Sequence, residues 1–466
     1  MILYYLLLVM TRFHSDPRVS ASLFATPILL VTPVKVVGLF AVLTALLFPP
    51  PAGAAPRLRT TQGVLFVLFA GLPVLETLAS GLPTPSSSIS SLVSFVFLMV
   101  ATRRLVRTEE RMFKTVRVMV LASALASLWI YKQYFLQHLD RPGGLEQDPN
   151  YEALTLVIGI PLAIWMARRE ISRAWRLIGA GCAGLVGIGV VLTESRAGLI
   201  ALAVMGLLSL VFGRRRLPIL ALLGAAAILV AEFAPASLSG RFRSIRISGA
   251  PTNGDDASAR IHFELFKAGI SMIASKPITG VGLSQFKSVA PEYNPNILRL
   301  TGQSYIAHDT YIQIAAEGGL PAFALFLALM GLAMVNCSAV RRHGVGALAD
   351  LGLAMQLGLV AYGIAAASVT AEYVSTLWLI IFLSPNLRDL SAAGAAQERY
   401  LGSAPSGGET PAALRIAAGG TQNCPSTLHM PGKQARTAQT ADRSHSAEHL
   451  TAFCARGSVP MEKEVY

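Results

Sequence analysis

The stretch TESRAGLIALAVMGLLSLVFGRRR, residues 193–216, decides the fold class. Its uncharged, almost wholly apolar run from Gly198 to Phe212 is bounded by Glu194 and Arg196 at one end and by Arg214, Arg215 and Arg216 at the other. A helix with no polar face to show to water belongs in a hydrocarbon core about 30 Å thick. The triple arginine then marks the cytoplasmic end, where basic residues are retained.

The same pattern repeats outward in both directions. Apolar spans are expected at 33–48, 63–79, 89–101, 115–136, 151–167, 174–193, 198–212, 217–234, 311–335, 348–370 and 373–383, about eleven in all. Basic clusters fall at Arg57/Arg59, Arg103 to Lys114, Arg168 to Arg176, Arg214 to Arg216 and Arg341/Arg342. Each is separated from the next by an even number of spans, so all can lie on the cytoplasmic side. The apolar segment Met1 to Met10 is too short to cross alone and lacks a basic leader, so it reads neither as a span nor as a signal peptide.

Composition agrees: the 466 residues are 53% hydrophobic and 14% charged, with a mean hydropathy of +0.54. The net charge of +13 does not point to nucleic acid, because the cations sit at span ends rather than on one binding face. Cys182, Cys337, Cys424 and Cys454 have neither disulfide-framework nor zinc spacing. The expectation is an all-α polytopic membrane protein with one long external loop, residues 236–310, that contains short amphipathic helices. From Ser391 the chain turns rich in Ala, Gly, Ser, Thr and Pro and is expected to be a disordered cytoplasmic tail, 391–466.

This topology gathers the polar excursions on the external face: the Gly81 to Ser88 turn, HLDRPGGLEQDPN at 138–150, the TESRAG turn and the long loop. Long ordered loops are more often functional than decorative. Arg196 lies on the face where a cation is not expected. It either pairs with Glu194 in a hairpin turn capped by Ser195, or it serves an anion. In ASARIHFELFKAGISMIA, Ile261, Leu265, Ala268 and Met272 recur at helical spacing, which predicts an amphipathic surface helix with Arg260 in its first turn. An arginine suits a helix N-terminus poorly, so either Glu264 one turn on or a bound anion would explain it.

His308 precedes Asp309 at the foot of TYIQIAAEGGLPAFALF. It is either an interfacial polar residue beside an N-cap aspartate, or a general base. Arg241, Arg243 and Arg246 read as snorkelling side chains or as a phosphate strip. Asp255 and Asp256 read as solvated turn residues, and no metal site is expected. The Gly280 to Gly282 GVG follows no strand and is not a dinucleotide fingerprint. Glu317 and Glu372, near the external ends of spans, either line a polar cleft or pair with arginines.

Taken together, TESRAGLIALAV, the AR that opens a helix leading to KPITGVGLSQF, and AHDTYIQIAAEGGLPAFALF resemble the O-antigen ligase and polymerase superfamily of bacterial inner-membrane enzymes. The resemblance covers about Leu177 to Val340 and departs from the family pattern at Ala197, where Gly is commoner, and at Asp309, where Asn is frequent. It implies a domain plan of N-terminal spans at 1–176, a core at 177–340 and C-terminal spans at 341–390. It also implies Arg196, Arg260 and His308 as catalytic residues, with Tyr311 in the histidine motif; from the residues themselves Arg241, Arg243, Arg246 and Glu317 join Tyr311 as candidate substrate ligands. The implied reaction moves a glycan from undecaprenyl diphosphate to an acceptor hydroxyl on the periplasmic side, inverting the anomeric carbon without metal or cofactor. Membrane lipid surrounds the site, and no nucleic acid takes part.

The product could be O-antigen or exopolysaccharide, made by a polymerase. Alternatively the acceptor is lipid A core, which makes the chain an O-antigen ligase, or a protein hydroxyl, which makes it an oligosaccharyltransferase. A polytopic transporter and a non-catalytic envelope scaffold are the remaining classes. A transporter would be expected to place its ionisable and broken-helix features near the bilayer midplane. Lys35, Lys132 and the Gly318, Gly319, Pro321 break are the residues that fit that reading.

Overall fold

The computed structural model describes residues 1–13, 23–25, 30–48, 60–83, 86–212 and 257–403. Among these residues the regular structure is helical apart from a two-residue antiparallel pairing of Phe24–Ala25 with Leu30–Val31. The helices are α1 (Ile2–Arg12), α2 (Pro33–Leu47), α3 (Thr61–Ala79), α4 (Ser86–Leu105), α5 (Glu109–Tyr131), α6 (Pro149–Val157), α7 (Gly159–Arg169) and α8 (Arg173–Leu192). They continue with α9 (Arg196–Phe212), α10 (Ala257–Ser275), α11 (Phe286–Tyr293), α12 (Asn296–Thr301), α13 (Thr310–His343), α14 (Gly346–Ala365) and α15 (Ser375–Ser403).

Among the described residues, seven helical segments are long and apolar enough to cross a membrane: Thr61–Ala79, Ser86–Leu105, Glu109–Leu136, Pro149–Arg169, Arg173–Leu192, Thr310–His343 and Gly346–Ser368. Ile2–Arg12, Pro33–Leu47 and Arg196–Val211 are apolar but shorter. The protein is a multi-pass membrane protein, and seven of the roughly eleven expected spans stand at full length among the described residues. The expected span at 217–234 lies outside the described residues, and the one at 373–383 falls within α15. That helix runs on to Ser403, so residues 391–403 are helical rather than part of a disordered tail.

Caps explain where several helices begin. Thr60 accepts a hydrogen bond from the Gly63 amide, Thr108 from Arg111, and Asp148 from Asn150 and Tyr151, with Pro149 supplying the preset φ of a first turn. Rings close the middle of the bundle, where Phe66 meets Trp378 at 4.9 Å and Phe382 at 5.0 Å, both edge-on. The N-terminal segment, too short to span, instead serves as core. Tyr4, Leu7 and Leu8 of α1 are buried, and the buried Arg12 at its end pairs with Glu152 and, at 3.3 Å, with Glu146.

The described part of the expected long loop, residues 257–310, is a helical layer. The face predicted for α10 is buried in protein: Leu265, Ala268 and Met272 pack with Val281, Phe286, Ala290, Ile297, Ala307 and Ala316 into a second core beside α13. Burying the Leu and Met side chains is worth roughly 1.5–3 kcal/mol each. On the other face Phe263, Phe266 and Ile270 are exposed.

Candidate active site

His308 closes the turn that leads into α13. Asp309 is the N-cap, its carboxylate accepting from the Tyr311 amide at 2.8 Å and the Ile312 amide at 3.0 Å. The Gln313 side chain accepts from the Ala307 amide at 2.9 Å, bracing the turn from the helix side. Thr310 locks it to the next connection, donating to the Val369 carbonyl at 2.6 Å and accepting from the Ala371 amide at 3.0 Å. Between these ties His308 holds φ at 52°, a left-handed conformation costly for a residue with a Cβ. The surroundings therefore fix the position of its ring rather than leaving it to an interfacial side chain's freedom.

That ring is half-buried and faces the half-buried ring of His262 on α10, with 4.9 Å between centroids; Tyr305 is 6.3 Å away. Burial holds the His308 imidazole below the ordinary histidine range, His262 pushes it down further, and Asp148 works in the opposite direction. Burial also holds His262 low, again against Asp148. The site thus contains two imidazoles that are neutral around pH 7, the form a proton acceptor needs. Neither His262 nor Asp148 was singled out from the sequence. Asp148 was readable as a cap from its following Pro149, but its action on both rings depends on tertiary placement.

Arg260 lies in the first turn of α10 and is exposed. The bland partner is otherwise engaged: Glu264 accepts from Lys267 at 2.6 Å and from the Asn294 amide group at 2.7 Å. Among the described residues no carboxylate is ion-paired with Arg260. Arg196 is the half-buried first residue of α9, after Glu194 at φ 51°, and Ser195 caps that helix by accepting from the Gly198 amide at 3.2 Å. At Gly198 a Cβ would stand 2.7 Å from that of Ala153, so the first turn of α9 lies directly on α6, the helix that Asp148 caps.

Two expected substrate ligands are occupied elsewhere. The Tyr311 hydroxyl donates to the Gly363 carbonyl at 2.7 Å and ties α13 to α14. Glu317 accepts from the Ser284 amide at 2.7 Å, the Phe286 amide at 3.0 Å and the Gln313 side chain at 2.5 Å. It clasps the TGVGLSQF segment to the break in α13, where Gly319 has φ 71°. A Cβ at Gly280 would sit 2.3 Å from the Glu317 carbonyl oxygen, which explains a glycine pair that is no nucleotide fingerprint.

Glu372 shares a small cavity with Glu317, Phe69, Pro73 and Tyr373, and burial raises its carboxyl to about 7. Among the described residues neither carboxylate is in an ion pair. Arg241, Arg243, Arg246, Asp255 and Asp256 lie outside the described residues. Among the described residues no group of three or more His, Cys, Asp or Glu side chains could hold a metal ion.

Residues 180–327 match the family described as O-Antigen ligase. The match supports the superfamily to which the sequence motifs point, and it contains Arg196, Arg260, His262 and His308, while Asp148 precedes it. No curated protein matches the chain.

Proposed function

From the premise of an O-antigen ligase domain in a multi-pass membrane protein, we propose that this membrane glycan transferase takes its glycan from undecaprenyl diphosphate. The acceptor is a sugar hydroxyl on the periplasmic side, and the enzyme acts as a polymerase of O-antigen or exopolysaccharide. The observation that carries the reading is the His308 turn: a half-buried imidazole, kept below the ordinary histidine range by burial and held by its neighbours outside the apolar span, in the same matched domain as Arg196 and an Arg260 without an ion-pair partner among the described residues.

In the reaction His308 takes the proton from the acceptor hydroxyl. The oxygen then attacks the anomeric carbon from the face opposite the diphosphate, and the bond to the diphosphate breaks with its electron pair leaving on oxygen. One displacement inverts the configuration. Arg196 and Arg260 meet the charge that grows on the leaving group, a task suited to planar bidentate guanidinium groups. The diphosphate is already a good leaving group, so no metal or cofactor is required. The lipid chains lie between spans and the glycan extends away from the membrane. Arg241, Arg243 and Arg246 are proposed to extend the phosphate site.

Lipid A core or a protein hydroxyl as acceptor would use the same base and the same arginines, making the chain a ligase or an oligosaccharyltransferase. Transport is less well supported, because the backbone at the α13 break is engaged: the Ala316 and Glu317 carbonyls accept from the Val281 and Gly282 amides, and the Leu320 amide donates to the Pro277 carbonyl. The test is purified protein in vesicles with a diphosphate-linked glycan and each acceptor in turn. Product with an inverted linkage supports the proposal, whereas donor crossing the bilayer without product overturns it.

A further inference from the structure

We propose that His262 is a positioning residue for the base, forming with His308 an imidazole pair that carries one proton between its two rings while Asp148 balances the charge. The inference rests on the reading of His308 as base. It adds a residue that no family motif supplied here and a partner, Asp148, outside the matched segment.

The geometry comes from three separate parts of the chain. His262 projects from α10 onto the His308 ring at 4.9 Å, tilted by 45°. Asp148 stands at the head of α6, where one carboxylate oxygen is taken by the Asn150 and Tyr151 amides at 2.7 and 3.0 Å. From there its charge acts on both rings, opposing the effect of burial. Among the described residues the titratable groups facing His308 are His262 from α10, Asp148 from the segment before α6 and Tyr305 from its own approach, while the neighbouring Asp309 is spent on its cap.

Burial keeps both rings neutral before the reaction; two imidazolium ions at this separation would repel, so the pair takes up one proton and resists a second. When the acceptor O–H bond breaks, a new N–H bond forms on His308 and the pair becomes singly positive. Asp148 then lowers the cost of that charge. No co-reactant is needed, since the proton is later released to water as the diphosphate departs.

The two partners make opposite predictions. Replacing His262 removes the group that disfavours protonation of His308, so the acid limb of the kcat profile moves to higher pH. Asp148→Asn keeps the α6 cap but removes the negative charge, so the limb moves to lower pH, and kcat at the plateau falls about tenfold because the imidazolium loses its counter-charge. His262→Phe preserves a flat ring against His308 and His262→Asn preserves polarity, so the two guard against loss of folding in either one.

The experiment measures kcat against pH for the full-length protein in vesicles with a diphosphate-linked glycan donor, for the parent, both His262 variants, Asp148→Asn and His308→Gln. We expect shifts of opposite sign for His262 and Asp148, with the donor KM unchanged. Limbs that coincide with the parent's in folded His262 and Asp148 variants, while His308→Gln is inactive, overturn the pair and leave the base. Transfer by His308→Gln at the parental rate overturns the base and the pair together.

Discussion

The two ends of the helix bundle treat their cations differently. Near the ends of α4, α5, α7, α8 and α14, arginines meet carboxylates: Arg117 forks onto Glu170 with two contacts of 2.6 Å, Arg169 pairs with Asp350, and Arg103 reaches Asp389 of α15 at 3.3 Å. At the end that carries α10 and the head of α13, Lys267 does meet Glu264 on the surface of α10, but Arg260 is exposed and unpaired among the described residues, and two imidazoles face one another. In the proposed reaction, structural cations are satisfied within the chain, whereas the cation assigned to the donor's phosphate is left to the substrate. Arg196, which is engaged within the chain, is the intermediate case.

The sharpest way to break this contrast is to remove one group from each end. His308→Ala is expected to lower transfer on the order of 10³-fold, the worth of a general base, with the protein still folded and donor retained in a binding assay. Arg260→Lys keeps the charge but loses the planar fork, and a fall in kcat of about 10- to 100-fold is expected; parental kcat would remove Arg260 from the site. At the other end, Arg117→Met leaves the buried Glu170 carboxylate without its partner. It should cost about 3 kcal/mol in unfolding measurements and leave kcat within about twofold.

Smaller effects sharpen the comparison inside the helical layer. Glu317→Gln turns an amide group toward backbone N–H donors that now meet an oxygen, a mismatch costing about 1–3 kcal/mol. Hydrogen exchange at 281–289 should quicken while the aromatic core around Trp378 keeps its protection. The smallest effect is on pH stability. The folded imidazoles of His262 and His308 bind protons less readily than those of the unfolded chain. Below the ordinary histidine range the unfolded state therefore takes up more protons, and stability declines as pH falls from neutrality. A double His262→Phe, His308→Phe variant should lose that decline in thermal melts at pH 7 and pH 5.

Much of this was legible from local chemistry. The apolar run read at 33–48 folds as Pro33–Leu47, the helix read from Arg260 onward buries Leu265, Ala268 and Met272, and Ser195 and Asp309 cap the helices they precede. Each of those features depends on residues a turn or less apart. What could not be read depends on docking between distant segments. His262 meets His308 because α10 packs on α13; Glu317 turns into a clasp because two glycines let a loop reach it; and the opening apolar residues become core because Arg12 finds Glu152. The resemblance supplied Arg196, Arg260 and His308, but it was silent on Asp148, which lies outside the matched residues.

The central claim is that His308 is the base of a glycan transfer, and single-turnover transfer in vesicles tests it most directly. Protein is loaded with a diphosphate-linked glycan and mixed with acceptor, and His308→Ala is compared with Arg117→Met and the parent. His308→Ala is expected to keep its donor and to form no glycosidic product on the time scale in which Arg117→Met and the parent complete a turnover. Product formed by His308→Ala at the parental rate would contradict it.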